Sequence, residues 1–188
     1  MFQLEMRTDR LVIREYRRGD IDDFLRVVRQ PEIYKTTYGI PRNYTRLQAI
    51  QWMKYLKNSS RQMKSYEFGM FLRDSGAYLG NVGLINVSMV HNHADISYYI
   101  DTQQRNKGYT TEAAKEMLRI GFDYFGFEKI SGLCMSINLA SRRVMEKIGM
   151  KFEGTMRSDL LKDGIYYDVD RLSILRTEYF TDSKVEND

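Results

Sequence analysis

The alternation of apolar and polar positions in the first half of the chain predicts one strand, two helices and three further strands. Residues 10–16 alternate in the way that a half-buried strand does. Asp20 stands as an N-cap before a helical apolar stripe, and Pro31 is expected to end that helix. A loop is expected over residues 36–44. The three strands that follow the second helix are expected over 66–73, 78–90 and 94–100.

The second helix is marked by Thr45 and Gln48, which have the spacing of a capping box. The polar run over residues 57–64 predicts a turn after it. Its buried face is expected to carry apolar residues at helical spacing, namely Leu47, Ile50, Met53 and Leu56.

The second half of the chain alternates strand-like and helix-like segments. This order predicts an α/β fold with a mixed, mostly antiparallel sheet of six to seven strands, flanked by about four helices. The expected elements are helices over 110–125 and 139–148 and strands over 128–137, 151–161 and 165–175.

Length and composition are those of one globular domain, with 188 residues, 43% of them hydrophobic and 29% charged. We assign residues 1–180 to this domain and 181–188 to a polar C-terminal tail. No apolar run has the length of a signal peptide or a membrane span, so a cytoplasmic protein is expected. Cys134 is the only cysteine, which excludes an intrachain disulfide, and its apolar surroundings predict a core residue.

The net charge of +4 argues against nucleic acid as the main ligand, because the basic residues are spread along the chain. One segment, 98–114, runs from a strand through a polar loop into a helix, and such a helix N-terminus attracts an anion. Gly108 permits close backbone approach, and Arg105 and Lys107 add positive charge. The residues alone leave two readings open: a phosphate site, or an ordinary loop with a glycine turn.

The sequence ArgAsnLysGlyTyrThr at 105–110 resembles the acetyl-CoA pyrophosphate loop of the GNAT acetyltransferases, with Thr110 where the family usually has glycine or alanine. Other segments are similar, in order, to the ribosomal-protein-alanine N-acetyltransferase (RimJ/RimL-like) branch. The resemblance covers residues 7–176. The similar segments are 8–14, 94–100, 138–154 and the closing hairpin at 163–168.

The resemblance implies an acetyl-CoA-dependent N-acetyltransferase that moves an acetyl group to a primary amine by direct attack. The amine would belong to a protein N-terminus or to a small molecule. No metal is needed. In the family, the pantetheine arm lies where the fourth strand separates from the fifth, and a strand N–H stabilises the oxyanion. The implied cofactor contacts are Tyr98, Tyr99, Ile100, Arg105, Asn106, Lys107, Gly108, Tyr109, Thr110, Thr111, Asn138 and Ser141.

The family's thiol-side tyrosine corresponds to Met145, which cannot donate a proton. Ser141 lies one helical turn earlier on the same face, and the RimJ/RimL-like branch uses a serine there. We therefore predict that Ser141 serves the leaving thiol; the alternative is a first-turn residue that satisfies a helix N–H. Asn138 is expected to cap this helix.

Asp95 is the first candidate for the general base, because an apolar, alternating strand would raise its pKa. The alternative is a solvated acid on an exposed strand face. Glu67 and Glu153 are weaker candidates. His91 and His93 lie in a predicted turn, which favours a surface role.

The predicted acceptor cleft is aromatic, with Tyr34, Tyr38 and Tyr166 expected to line it. Two other functions stay open: a non-catalytic acetyl-CoA sensor, and a basic RNA-associated domain. A sensor would bind coenzyme A without releasing free thiol, and an RNA-binding domain would show steep salt dependence. Homodimers are common in this branch, so a homodimer is also a candidate state.

Overall fold

The computed structural model describes residues 5–185, and within them eight strands form one sheet in the order β1-β2-β3-β4-β5-β6-β8-β7. The predicted count of six to seven strands is therefore wrong. It missed the short edge strand β1, whose three residues are too few to show the alternation of a strand. The strands are β1 (Glu5–Arg7), β2 (Leu11–Arg14), β3 (Tyr66–Leu72), β4 (Tyr78–Ser88), β5 (His93–Ile100), β6 (Lys129–Met135), β7 (Lys151–Lys162) and β8 (Ile165–Leu175).

Six α-helices lie within the described residues, two more than the four predicted. Helix α1 ends before Pro31, as predicted. Pro31 itself begins a short helix that was not predicted, because a proline at the first helical position gives up an N–H that has no partner there. The last helix runs into the predicted polar tail, of which residues 186–188 lie outside the described part. The helices are α1 (Ile21–Val28), α2 (Pro31–Thr36), α3 (Arg46–Arg61), α4 (Tyr109–Arg119), α5 (Leu139–Lys147) and α6 (Arg176–Val185).

Helix α3 begins as predicted, with Thr45 and Gln48 in a reciprocal capping box. It continues to Arg61 and so covers the first part of the stretch 57–64 that was expected to turn, whereas residues 62–64 do turn. Leu47 is 64% exposed, contrary to the prediction, because it lies in the first turn beyond the edge of the core. The buried face is centred on Ala49, Leu56 and Ser59.

Helices cover both faces of the sheet and form two different cores. Helices α4 and α5 pack with an aliphatic core that contains Ile96, Met117 and Met145. Helices α1 and α3 pack with an aromatic core, in which Phe24 and Trp52 stack with ring centroids 5.0 Å apart. Because side chains alternate along a strand, neighbouring residues of β5 enter opposite cores.

Strands β5 and β6 are the parallel pair of the sheet, and they are joined over only part of their length. Their register covers His93–Ile96 against Lys129–Gly132. Beyond this, β5 continues beside β4 and β6 continues beside β8. The two strands therefore separate at Ser97, and a cavity opens at this point.

Candidate functional site

The cavity has a volume of about 770 Å³ and lies between the separated ends of β5 and β6, the N-terminus of α4, helix α5, and the α1–α3 side of the sheet. All of the predicted cofactor-contacting residues except Lys107 line it. The Lys107 amine donates instead to Gln104 at 2.9 Å. The structure thus brings together segments that lie about 40 residues apart in the sequence.

The loop before α4 is shaped by its backbone. Gly108 is the N-cap residue at φ 81°, a left-handed conformation that glycine adopts without strain. Asn106 is also left-handed, at φ 63°. No described side chain caps the helix, so its first N–H groups have no partner within it and stand beside the cavity. This geometry suits a phosphate or pyrophosphate.

Arg10, which the sequence analysis did not single out, fastens this loop to the β1–β2 hairpin. Its guanidinium donates to the Lys107 carbonyl at 2.9 Å and to the Glu112 carboxylate at 2.6 Å. It also lies over the Tyr109 ring, 4.6 Å from the centroid. These partners are about 100 residues away in the sequence, so no local pattern could have indicated the contact.

On the aliphatic side of β5, the Tyr98 hydroxyl meets the first turn of α5. It donates to the Ser141 carbonyl at 2.9 Å and lies 3.1 Å from the Ser141 hydroxyl, which is therefore the donor of that second bond. Burial raises the pKa of Tyr98, so the phenol stays protonated. Asn138 caps α5 by accepting from the Ser141 N–H at 3.2 Å. Met145 is buried against Gly132.

The acidic candidates differ in their surroundings. Asp95 is half-buried in the paired part of β5, lines the cavity, and accepts from Asn86 at 2.9 Å. Glu67 also lines the cavity. Burial raises the pKa of Glu67. Hydrogen bonds from the Asn81 amide, at 3.0 Å, and from the Ser97 hydroxyl lower that pKa in part. Glu153 lies elsewhere, where it accepts from Lys129 at 2.5 Å.

A chain of hydrogen bonds leads through the aromatic core to Glu67. Tyr16 donates to the Asn81 side-chain oxygen at 2.8 Å, and its own oxygen lies 3.0 Å from that of Tyr78. The Tyr78 oxygen lies 3.1 Å from that of Tyr99. A phenol carries one proton, and Tyr16 uses its own on Asn81. Tyr78 therefore donates to Tyr16, and Tyr99 donates to Tyr78, so every donor in the chain is directed towards Glu67.

The three tyrosines expected in the acceptor cleft lie in different places. Tyr38 lines the cavity. Tyr34 does not; its hydroxyl donates to Asp163 in the turn between β7 and β8. Tyr166 is 64% exposed on β8 and also lies outside the cavity. A hydrogen bond to the hairpin turn thus accounts for the position of Tyr34.

Cys134 is buried in the aliphatic core, as predicted, and it also lines the cavity from β6. Burial raises the pKa of its thiol to about 11. Over residues 5–185, no three metal-binding side chains of the His, Cys, Asp or Glu type come together. In the same part of the chain, no helix combines the length and the apolar character needed to cross a membrane.

Comparison with known proteins agrees with this geometry. The model of the family "Acetyltransferase (GNAT) domain" matches residues 10–151. The uncharacterized N-acetyltransferase YoaA of Bacillus subtilis (strain 168) is 25% identical over 171 residues, which is 91% of this chain and 96% of YoaA.

Two solved structures share the fold. One is RimL, the ribosomal L7/L12 alpha-N-protein acetyltransferase in complex with coenzyme A, with a TM-score of 0.83, 13% identity, and coverage of 92% of this chain and 98% of RimL. The other is spermidine N-acetyltransferase from Vibrio cholerae in complex with CoA and spermine, with a TM-score of 0.80, 19% identity, and coverage of 92% and 99%. Since the family model spans more than half of the chain, the chain belongs to the GNAT family of N-acetyltransferases, which transfer an acetyl group from acetyl-CoA.

Proposed function

We propose that the cavity binds acetyl-CoA with its pyrophosphate at the loop over residues 105–111 and its pantetheine arm between β5 and β6. The observation that carries this proposal is the separation of the two strands at Ser97, which opens into the same cavity as the N-terminus of α4, where no described side chain caps the helix. The free strand edge offers backbone groups to an extended amide chain, and the helix terminus offers N–H groups to an anion.

The distribution of charge in the cavity supports this orientation. The cationic lining residues Arg105, Arg143 and Lys147 come from the loop and from α5, where the phosphates would lie. The acidic lining residues Glu67 and Asp95 come from the other side of the sheet. One arm of the cavity therefore suits a polyanion, and the other suits an amine.

The acetyl group would lie near Ser97, where the strands separate. A β5 backbone N–H would stabilise the oxyanion, and the amine nitrogen would attack the carbonyl carbon as the carbon–sulfur bond breaks. The Ser141 hydroxyl would then turn to donate to the leaving sulfur, and Tyr98, 3.1 Å away, would donate to Ser141 in its place. These hydroxyls supply the donor that Met145 lacks.

We propose a primary amine as the acceptor and the RimJ/RimL-like branch as the place of this chain within the family. The branch is supported by the segment 138–154 and by the likeness to RimL in fold. The acceptor class is supported by the acidic, partly aromatic arm, which includes Tyr38 and Tyr44. RimL acts on a protein N-terminus and the Vibrio cholerae enzyme on spermidine, so both kinds of amine belong in a test.

Free thiol release from acetyl-CoA tests the proposal, with peptides carrying free N-termini, polyamines, amino acids and aminoglycosides as acceptors. We expect one class to be acetylated and Ser141→Ala to reduce kcat by about 100-fold, the usual scale for loss of a positioned acid. Arg142→Ala is the matched control, because this neighbour on α5 does not line the cavity.

If the protein binds acetyl-CoA but releases no thiol with any amine, the proposed catalytic function is wrong and a sensor function is favoured. That alternative draws on the buried methionine at position 145, where many family members have a tyrosine. Turnover unaffected by Ser141→Ala would leave the enzyme in place and remove Ser141 from its mechanism.

A further inference from the structure

We propose that Glu67 is the general base that removes the proton of the acceptor amine, acting from the sheet face opposite to Tyr98 and Ser141. This inference rests on the proposed acetyl transfer and assigns the group that the reaction lacks on its amine side.

The sheet register brings Glu67 to the cavity. Glu67 on β3 pairs with Gly83 on β4, and Gly83 pairs with Ser97 on β5, so the three residues form one row across the sheet. Cross-strand partners direct their side chains to the same face. A β-carbon placed on Gly83 would stand 2.7 Å from the Glu67 Cγ. The glutamate side chain therefore lies over Gly83 and extends towards β5.

Ser97, at the end of this row, is the first β5 residue beyond the pairing with β6. Its hydroxyl is buried and lies near the Glu67 carboxylate, where hydrogen bonding to that carboxylate lowers the pKa of Glu67 in part. Because this hydroxyl also lines the cavity, it stands between the carboxylate and any molecule bound there, and it can accept a proton from that molecule as it donates to Glu67. Glu67 and Ser97 thus both face the point at which the acetyl group would lie.

The surrounding residues prepare Glu67 for proton transfer. Asn81 fixes one carboxylate oxygen, and the Ser97 hydroxyl is a second hydrogen-bond donor to this carboxylate. Asn81 is held in turn by Tyr16, so it is a positioning residue. Burial raises the pKa of the carboxyl towards the range in which a base works at neutral pH. Asp95 has a different setting, two residues inside the paired part of β5.

In the proposed step, the amine nitrogen forms a bond to the acetyl carbon, and its proton passes to Glu67, directly or through the Ser97 hydroxyl. The carbon–sulfur bond breaks, and the sulfur takes a proton on the other side of β5. The base and the acid therefore lie on opposite faces of one strand, which keeps the two proton transfers apart.

The experiment measures kcat against pH at saturating amine and acetyl-CoA for wild type, Glu67→Gln and Asp95→Asn. For wild type we expect kcat to fall at acidic pH, with a midpoint above 4.5, the usual pKa of a glutamate. The reason is that the base must be ionised and that burial raises its pKa; we call this fall the acidic limb. Glu67→Gln should reduce kcat by about 100- to 1,000-fold and abolish this limb. Acetyl-CoA affinity should change by less than about threefold, since Gln still accepts from Asn81.

Glu153→Gln is the matched control, a carboxyl-to-amide change outside the cavity. Glu67→Ala supplies a second readout: added formate should restore part of its kcat, which a purely structural role would not predict. If Glu67→Gln raises the KM of the amine and leaves kcat unchanged, Glu67 binds the ammonium group and is not the base. If the acidic limb of the pH profile disappears in Asp95→Asn and not in Glu67→Gln, Asp95 is the base. Wild type that binds acetyl-CoA but acetylates no amine would overturn the proposed function itself.

Discussion

The two sides of β5 are built in different ways. On the side of α4 and α5, the walls of the cavity include three backbone features: a left-handed glycine, a helix N-terminus and an uncovered strand edge, next to the Tyr98–Ser141 pair. On the side of α1 and α3, it is made of side chains on several strands, joined by hydrogen bonds that end at Glu67. A backbone site needs a short contiguous segment, whereas a side-chain network needs the register of a whole sheet.

The adjacent residues Tyr98 and Tyr99 place one phenol on each of these two sides. Because successive side chains of a strand point to opposite faces, one phenol meets Ser141 and the other meets Tyr78. The same substitution at these two positions therefore compares the two sides of the site directly.

Among the variants that compare the two sides of β5, the largest effect is expected from Tyr98→Phe. It removes the phenol that donates to Ser141 during thiol departure, so kcat should fall by about 100-fold. Tyr99→Phe removes a phenol of the same size that is remote from the sulfur. It should lower kcat by less than about tenfold and reduce the free energy of unfolding by about 1 kcal/mol. Steady-state kinetics and urea unfolding of both variants measure these outcomes.

Equal kcat values for the two variants would contradict a catalytic difference between the two sides of β5, because they would show that the phenol facing Ser141 has no special part in the reaction. A loss of kcat in Tyr99→Phe alone would assign the proton transfer to the side of the aromatic core.

The same contrast explains which features the sequence revealed. The loop at 105–110 and the cap at Asn138 depend on contiguous residues, and the structure has both where they were predicted. Glu67 ranked low because its place beside the cavity depends on Gly83 and Ser97, which become its neighbours only through sheet pairing. The strand β1 and the helix α2 were missed because three and six residues are too few for a periodic pattern.

The aromatic side is next in the size of its expected effects. Tyr16→Phe leaves the Asn81 oxygen without its donor and the Tyr78 hydroxyl without its acceptor, inside a buried core. The free energy of unfolding should fall by about 1–3 kcal/mol. Urea unfolding measures this change, with Tyr55→Phe as the control, since Tyr55 is 56% exposed. Equal stability of the two variants would show that the hydroxyl chain contributes nothing.

The backbone side can be tested through its glycine. Gly108→Ala forces a β-carbon onto a residue at φ 81°, which costs about 1–2 kcal/mol, and places it 3.3 Å from the Arg10 guanidinium. If the loop shifts to relieve this strain, the Kd of acetyl-CoA should rise about tenfold by calorimetry. Gly76→Ala, at φ 70° in the turn between β3 and β4, imposes similar strain away from the cavity. An equal Kd for both variants would contradict a phosphate site at Gly108.

The smallest effect concerns Asp101, which joins the two sides at the end of β5. This buried carboxylate accepts from Arg26 and Gln30 near α1 and from the Gln103 N–H at the start of the phosphate loop. Although burial alone would raise the pKa of Asp101, these donors lower it below its usual value of 3.8. A folded-state pKa below the unfolded one stabilises the fold above pH 3.8, and this contribution is lost as the pH falls through the lower value. Asp101→Asn should therefore be less stable than wild type at pH 7 in urea unfolding, and the difference should narrow as the pH falls below 3.8. A difference independent of pH would mean that the charge of Asp101 does not tie the two sides together.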